Sequence, residues 1–121
     1  MSLKELKKQI SKEMFLSKEV FLIAHKEIDL DAFASMAGFS LIAKKYKNKT
    51  YIIIDDKNIE PATKEAMNSI KNKLNIITSE EAKKLITKKS ILYILDTNKP
   101  KLLSNENIIK EFKTITVIDH H

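Results

Sequence analysis

The sequence predicts an α/β domain built on a doubly wound, mainly parallel sheet with helices on both faces. Two observations support this prediction. Short unbroken aliphatic runs alternate with segments of helical periodicity along the whole chain. Within the runs, apolar residues follow one another without intervening polar ones, as in parallel strands that are buried on both faces. A chain of 121 residues is long enough for one modest domain with a real core.

The aliphatic runs predict four strands, at residues 20–24, 51–54, 91–95 and 114–118. The short segment 75–77 is expected to be extended. Helical periodicity or capping signals lie before and between them, at residues 3–14, 32–46, 61–73, 78–87 and 105–112. The only glycine of the chain, Gly38, falls inside the second predicted helix, where it costs about 1 kcal/mol relative to Ala. We therefore expect Gly38 to mark a close contact between that helix and the sheet.

Composition excludes several classes of function. The chain has no cysteine, so it has no disulfide, thiolate metal site or cysteine nucleophile. All 22 basic residues are lysines, spread along the chain, and the formal net charge is +6. We interpret them as solvated helix faces rather than a nucleic-acid patch, because readers of duplex nucleic acid normally use arginine. No apolar run reaches the length of about 18 residues that a membrane span needs, and no signal peptide is evident. We expect a cytoplasmic protein whose present segment does not contact a membrane.

Residues that can carry chemistry follow the ends of three predicted strands. They are His25, Asp29, Asp31, Asp96, Asp119, His120 and His121. Because parallel strands end at one edge of a sheet, these side chains can share one site. Converging carboxylates repel one another unless cations neutralise them, and carboxylate with imidazole suits Mn²⁺, Fe²⁺ or Zn²⁺. A carboxylate shared by two such ions would hold them about 3.5–4 Å apart, as in two-metal phosphoester hydrolysis.

Each of these residues also has a purely structural interpretation. Asp31 alone would be a good N-cap for a helix from residue 32, and Asp96 alone could begin a turn. We interpret Asp55 and Asp56, which follow the second strand, as a turn or cap, or otherwise as the rim of a substrate cleft. The adjacent His120 and His121 would point to opposite faces of an extended segment, so one can ligate a metal while the other faces the substrate. The conjunction of all these residues favours a metal site.

Three ordered blocks resemble the DHH phosphoesterase superfamily, and within it the GdpP-type cyclic-di-AMP phosphodiesterases. The blocks read HKEIDLDAFA from His25, DTNKPKL from Asp96 and VIDHH from Val117. The segment TSEEAKKLI before the third predicted strand, residues 91–95, is also similar to the family pattern. The resemblance covers about residues 18–121. It implies that the fold is the N-terminal part of a DHH domain.

The resemblance also implies a two-metal hydrolase. His25 and Asp29 would bind one Mn²⁺ ion, Asp31 and His120 the second, and Asp96 would bridge them. As catalytic residues, His121 would contact the scissile phosphate of the bound substrate and Asp119 would support the site. The reaction would convert cyclic di-AMP to the linear dinucleotide. Two departures from the family pattern are Ile28 in place of proline and Asn98 in place of histidine, and the latter bears on substrate specificity.

The resemblance divides the chain into a linker helix, residues 1–17, and a partial DHH domain, residues 18–121. The family has a further aspartate ligand and a DHH-associated domain downstream, so we expect a fragment with little or no activity of its own. Full-length relatives would be membrane-anchored with this domain in the cytoplasm, and a homodimer is compatible with them. Two alternatives stay open. One is a DHH enzyme acting on short oligoribonucleotides, phosphoadenosine phosphate or pyrophosphate, and the other is a non-catalytic nucleotide- or metal-binding module.

Overall fold

A five-stranded parallel sheet organises the protein, as shown by a computed structural model that describes residues 2–24, 28–46, 48–55, 59–95 and 106–118. The strands are β1 (Glu19–Ile23), β2 (Lys49–Ile53), β3 (Ile76–Ile77), β4 (Ser90–Leu95) and β5 (Thr114–Ile118). They lie in the order β3-β2-β1-β4-β5, and every pairing between them is parallel. The predicted fold class and the four predicted strands are confirmed, and the segment expected to be extended forms the short strand β3.

Helical segments connect the strands. They are α1 (Leu3–Leu16), α2 (Leu30–Lys44), α3 (Pro61–Ile70), α4 (Ser79–Lys83) and two 3₁₀-helices, Lys71–Lys73 and Glu106–Glu111. Pro61 occupies the first turn of α3, and Thr78 forms a capping box with Glu81 at the start of α4, as predicted. The fourth helix ends earlier than the predicted residue 87. A turn leads into β4 there, in which the Ser90 N–H donates to the Thr87 carbonyl at 3.1 Å.

Alternate residues of each central strand face opposite sides of the sheet, so the protein has two apolar cores. Val20 and Leu22 of β1 face the core covered by α1, α2 and α3. Phe21 and Ile23 face a second core, closed by α4 and the later 3₁₀-helix. All five residues of β1 are buried, which explains the unbroken aliphatic run in the sequence.

Helix α1 is fastened to the sheet by its last two turns. Met14 is fully buried in the first core. The Glu13 carboxylate accepts hydrogen bonds from the Tyr93 hydroxyl of β4 at 3.1 Å and from the Thr116 hydroxyl of β5 at 2.9 Å. Burial, and then the neighbouring charge of Glu13, raise the pKa of the Tyr93 phenol well above its ordinary value. At the end of the helix, Asn48 Nδ2 donates to the Met14 carbonyl at 3.0 Å. The division into a linker helix, 1–17, and a partial domain, 18–121, stays a prediction, but α1 contributes to the core.

The expected reason for Gly38 is wrong. A Cβ atom added at Gly38 would meet no atom of the described residues within 4 Å, and the residue lies on the exposed side of α2. The residues of α2 that do contact the sheet include Phe33, Met36 and Ala37, which are buried in the first core. Helical spacing from these residues turns Gly38 outward, so the protein itself does not require a glycine there.

Replacing Gly38 by Ala should therefore stabilise the protein. Alanine has the higher helix propensity and reduces the entropy of the unfolded chain, so we expect the free energy of unfolding to rise by about 0.5–1 kcal/mol. Urea unfolding followed by circular dichroism measures this change. The matched replacement Ser40→Ala, at a buried position of the same helix, should give no comparable gain. A destabilised Gly38→Ala variant would mean that the glycine meets a contact outside the described residues.

Candidate functional site

The order of the strands creates a switch point between β1 and β4. From β1 the chain proceeds outward through β2 and β3, and then returns to β4 and β5 on the other side of β1. In doubly wound sheets the connections that follow the two central strands diverge to opposite faces, which opens a crevice at their carboxyl ends. Ligands bind in that crevice. The candidate site therefore lies beyond Ile23 and Leu95, the last residues of β1 and β4.

The register of the sheet aligns the strands whose sequences continue into the predicted site residues. One paired row crosses four strands and consists of Ile53, Ile23, Ile94 and Val117. Two residues farther along the chain from each member of this row, the sequence reads Asp55, His25, Asp96 and Asp119. Of these, only Asp55 belongs to the described residues. His25, Asp96, Asp119, His120 and His121 lie outside them.

Asp29 is the N-cap of α2. Its backbone is extended, with φ −97° and ψ 176°, and its Oδ1 atom accepts a hydrogen bond from the Ala32 N–H at 2.8 Å. The Asp29 carbonyl also accepts the first helical hydrogen bond, from the Phe33 N–H at 3.0 Å. The alternative interpretation of Asp31 as the cap of a helix from residue 32 is wrong, because the helix begins two residues earlier.

Asp31 lies in the first turn of α2, exposed to solvent like Asp29. Ile28, the residue before Asp29, is buried in the first core and holds the start of α2 against it. The structure thus brings Asp29 and Asp31 together at the start of one helix, at the carboxyl end of β1. The cap bond to Ala32 is made by a single oxygen of Asp29, and an ionised carboxylate has acceptor sites on both oxygens. Capping is therefore compatible with a metal ligand at Asp29.

Asp55 has a structural partner that the sequence did not reveal. Its Oδ1 atom accepts from the Ser79 N–H at 2.8 Å, and its Oδ2 atom accepts from the Ser79 hydroxyl. Ser79 is the first residue of α4, so Asp55 ties the end of β2 to the beginning of that helix. This agrees with the interpretation of Asp55 as a turn or cap residue. Ser79 follows the capping residue Thr78, but nothing near it in the sequence indicates that it contacts Asp55, 24 residues away. Asp56 lies outside the described residues.

The described part of the chain contains no group of three or more His, Asp or Glu side chains placed to hold a metal ion. Asp29 and Asp31 are the predicted ligands within it. The remaining predicted ligands, His25, Asp96 and His120, follow β1, β4 and β5 in the sequence. The assignment of all five as metal ligands stays a prediction. In the same described residues, no helix is long and apolar enough to cross a membrane.

The fold and the residues at its carboxyl edge define a class: α/β domains that bind their ligand at the switch point of a parallel sheet. A model of the DHH family, N-terminal domain, matches residues 19–121. The chain therefore belongs to the DHH family of phosphoesterases.

Curated relatives support the same family. The chain is 31% identical over 109 residues to the cyclic-di-AMP phosphodiesterase PdeA of Listeria monocytogenes, an alignment that covers 87% of this chain and 17% of that protein. It is 30% identical over 109 residues to the cyclic-di-AMP phosphodiesterase GdpP of Bacillus subtilis, covering 87% and 16%. A membrane protein-large ribosomal subunit bL9 fusion protein of Aster yellows witches'-broom phytoplasma is 34% identical over 108 residues, covering 84% and 13%. The chain thus spans less than a fifth of these relatives.

A solved structure has the same fold. The exopolyphosphatase-related protein from Bacteroides fragilis superposes with a TM-score of 0.78 at 18% sequence identity. The match covers 98% of this chain and 35% of that one. It includes helix α1, which lies before the residues matched by the family model.

Proposed function

We propose that this chain is the N-terminal half of a catalytic domain that hydrolyses cyclic di-AMP to the linear dinucleotide in the whole protein. The observation that carries the proposal is that β1, β4 and β5 are neighbours in the sheet, with the switch point between β1 and β4, and that each is followed in sequence by family motif residues. Two relatives at 31% and 30% identity are named as cyclic-di-AMP phosphodiesterases, which favours this substrate among those of the family.

The donor set fits two divalent ions, for which Mn²⁺ is our first candidate. It offers carboxylate oxygens and imidazole nitrogens without thiolates, a combination that suits Mn²⁺, Fe²⁺ or Zn²⁺. Asp29 and Asp31 are both exposed at the start of α2, and the cap bond uses one oxygen of Asp29. We assign His25 and Asp29 to one ion, Asp31 and His120 to the other, and Asp96 to both. When bound, such ions supply Lewis-acid chemistry at the phosphate and acidify a water molecule.

The residues of the chain have distinct roles in this proposal. The Ala32 N–H holds the Asp29 carboxylate in one orientation through the 2.8 Å cap bond, so this ligand is fixed before any ion arrives. Buried Ile28 fixes the turn that carries it. His121 binds the scissile phosphate and orients it, and Asp119 supports the neighbouring imidazole by a hydrogen bond, as metal-binding histidines commonly require.

Two measurements test the proposal. Calorimetry of this 121-residue chain with Mn²⁺ should show binding that an Asp96→Ala variant loses. Hydrolysis of cyclic di-AMP, followed by separation of the dinucleotide products, should then be measured on the full-length protein that contains this segment, beside short oligoribonucleotides. We expect the cyclic dinucleotide to be the better substrate.

The other outcomes distinguish the alternatives. Preferential cleavage of short RNA or phosphoadenosine phosphate would replace the proposed substrate by another of the same family. Metal binding without hydrolysis of any phosphoester by the full-length protein would instead indicate a non-catalytic module. Unaltered Mn²⁺ affinity in Asp96→Ala would remove Asp96 from the ligand set.

A further inference from the structure

Three lysines lie side by side at the amino edge of the sheet, opposite the candidate site. The Lys49 N–H donates to the Lys18 carbonyl at 3.0 Å, and the Lys18 N–H donates to the Lys89 carbonyl at 2.9 Å. These bonds place the three residues side by side where the adjacent strands β2, β1 and β4 begin, and neighbouring strands are about 4.8 Å apart. Lys88 directly precedes Lys89 in the turn before β4. The side chains of all four lysines are exposed. We call Lys18, Lys49, Lys88 and Lys89 the lysine edge.

Glu19 lies beside the lysine edge but does not form an ion pair with its lysines. Glu19 is buried, and its Oε1 atom accepts hydrogen bonds from the Ser90 hydroxyl at 2.7 Å and from the Thr87 hydroxyl. None of the four lysines forms an ion pair with a carboxylate of the described residues. Together with Glu19, they line an open groove of about 740 Å³. The positive charge of this groove is therefore available to an external anion.

Exposed apolar residues lie next to the lysine edge. Phe15 and Leu16, in the last turn of α1, are 78% and 64% exposed. Leu16 lines a second, smaller groove together with Glu13, Lys88 and Lys89. This surface therefore combines positive charge with exposed apolar side chains, the two components of a helix that lies on a bilayer. The sequence alone does not reveal this surface, because the loops that carry the lysines are far apart along the chain.

We propose that the lysine edge, with Phe15 and Leu16, docks on the surface of an anionic lipid bilayer. Lysines attract anionic headgroups, while an aromatic and a leucine side chain enter the boundary between headgroups and acyl chains. The combination favours a lipid surface over a nucleic acid for two reasons. The chain has no arginine, the usual reader of base edges. Proteins that bind single strands stack successive bases on several aromatic rings, whereas Phe15 is the aromatic residue that this edge exposes among the described residues. The proposal revises our expectation that this segment has no membrane contact. It concerns the edge opposite the switch point and does not depend on the proposed activity.

Vesicle co-sedimentation of the 121-residue chain tests the proposal. The probes are phosphatidylcholine vesicles with and without about a third of phosphatidylserine. We expect binding to the anionic vesicles alone, weakening as salt rises. The triple variant Lys18→Gln, Lys88→Gln, Lys89→Gln should bind on the order of 100-fold more weakly. Its matched control carries Lys64→Gln, Lys84→Gln and Lys110→Gln, which remove the same charge at exposed positions elsewhere, and should lose less than about threefold.

A second pair of variants tests the apolar component. Phe15→Ser with Leu16→Ser should weaken binding by at least about tenfold. Leu41→Ser with Ile42→Ser, an exposed apolar pair on α2, should have little effect. All replaced side chains are exposed, and thermal melts of each variant verify folding. Equal losses in both lysine variants, or no binding to anionic vesicles, would overturn the proposal. Full binding by the Phe15/Leu16 variant would overturn it too, because the contact with the vesicle would then rest on charge alone, without the proposed apolar insertion.

Discussion

Replacing Asp96 by Asn in the full-length protein is expected to lower kcat for cyclic-di-AMP hydrolysis by about 1,000-fold. In the proposed site Asp96 is shared by two ions, and its replacement removes a negative charge from both. A loss of about 4 kcal/mol of transition-state stabilisation, within the range that metal ions contribute, corresponds to that factor. Initial rates at saturating substrate and Mn²⁺ measure it. Calorimetry of the 121-residue chain should show the loss of Mn²⁺ binding in parallel.

Asp55→Asn is the matched control for this prediction. It removes the same charge from a residue that also follows a strand of the sheet, but Asp55 accepts hydrogen bonds from Ser79 on both oxygens and so ties β2 to α4. We expect Mn²⁺ affinity and kcat to change by less than about threefold, and stability to fall by about 1–2 kcal/mol because a charge-assisted bond is weakened. If Asp55→Asn abolishes Mn²⁺ binding while Asp96→Asn does not, the proposed ligand set is wrong at both positions.

Strands were the most predictable part of this fold because each satisfies one local requirement. A strand between two helical layers must be apolar on both faces, so β1 and β4 appear in the sequence as unbroken aliphatic runs. Even β3, with two paired residues, is marked by its two isoleucines. A parallel sheet places the residues after β1 and β4 at one edge whatever the strand order, so the shared edge could be predicted but the order β3-β2-β1-β4-β5 could not.

Features that depend on distant partners could not be predicted. Asp55 is joined to Ser79 across 24 residues, and nothing near either residue indicates the other. Gly38 suggested a tight contact, yet it faces outward, because helical periodicity in an apolar segment such as α2 does not say which side meets the sheet. The lysine edge likewise joins Lys18, Lys49 and Lys89 only through strand pairing. Lysines that are spread along the sequence can therefore form a cluster in the folded protein that the sequence does not show.

Removal of residues 2–17 is expected to unfold most of the remaining chain at room temperature. Loss of Met14 alone should cost about 2–5 kcal/mol, and leaving the buried Tyr93 hydroxyl without its partner adds about 1–3 kcal/mol. The total approaches the whole stability of a small domain, which is about 5–15 kcal/mol. Circular dichroism and thermal melts of the truncated and complete chains measure the effect. Equal melting temperatures would instead support a linker helix that is separable from the domain.

A point variant isolates the polar part of this contact from the loss of buried area. Glu13→Ala removes the acceptor shared by Tyr93 of β4 and Thr116 of β5, so we expect a loss of about 2–3 kcal/mol. Glu65→Ala, at an exposed position of α3, removes the same side chain from a helix and should change stability by less than about 0.5 kcal/mol. In the background of Tyr93→Phe, Glu13→Ala should cost less, because one of its two donors is already gone. If the losses of stability in Glu13→Ala and Tyr93→Phe simply add in the double variant, the Glu13–Tyr93 hydrogen bond does not hold α1 on the sheet. The fastening of the helix would then rest on Met14 and its apolar neighbours.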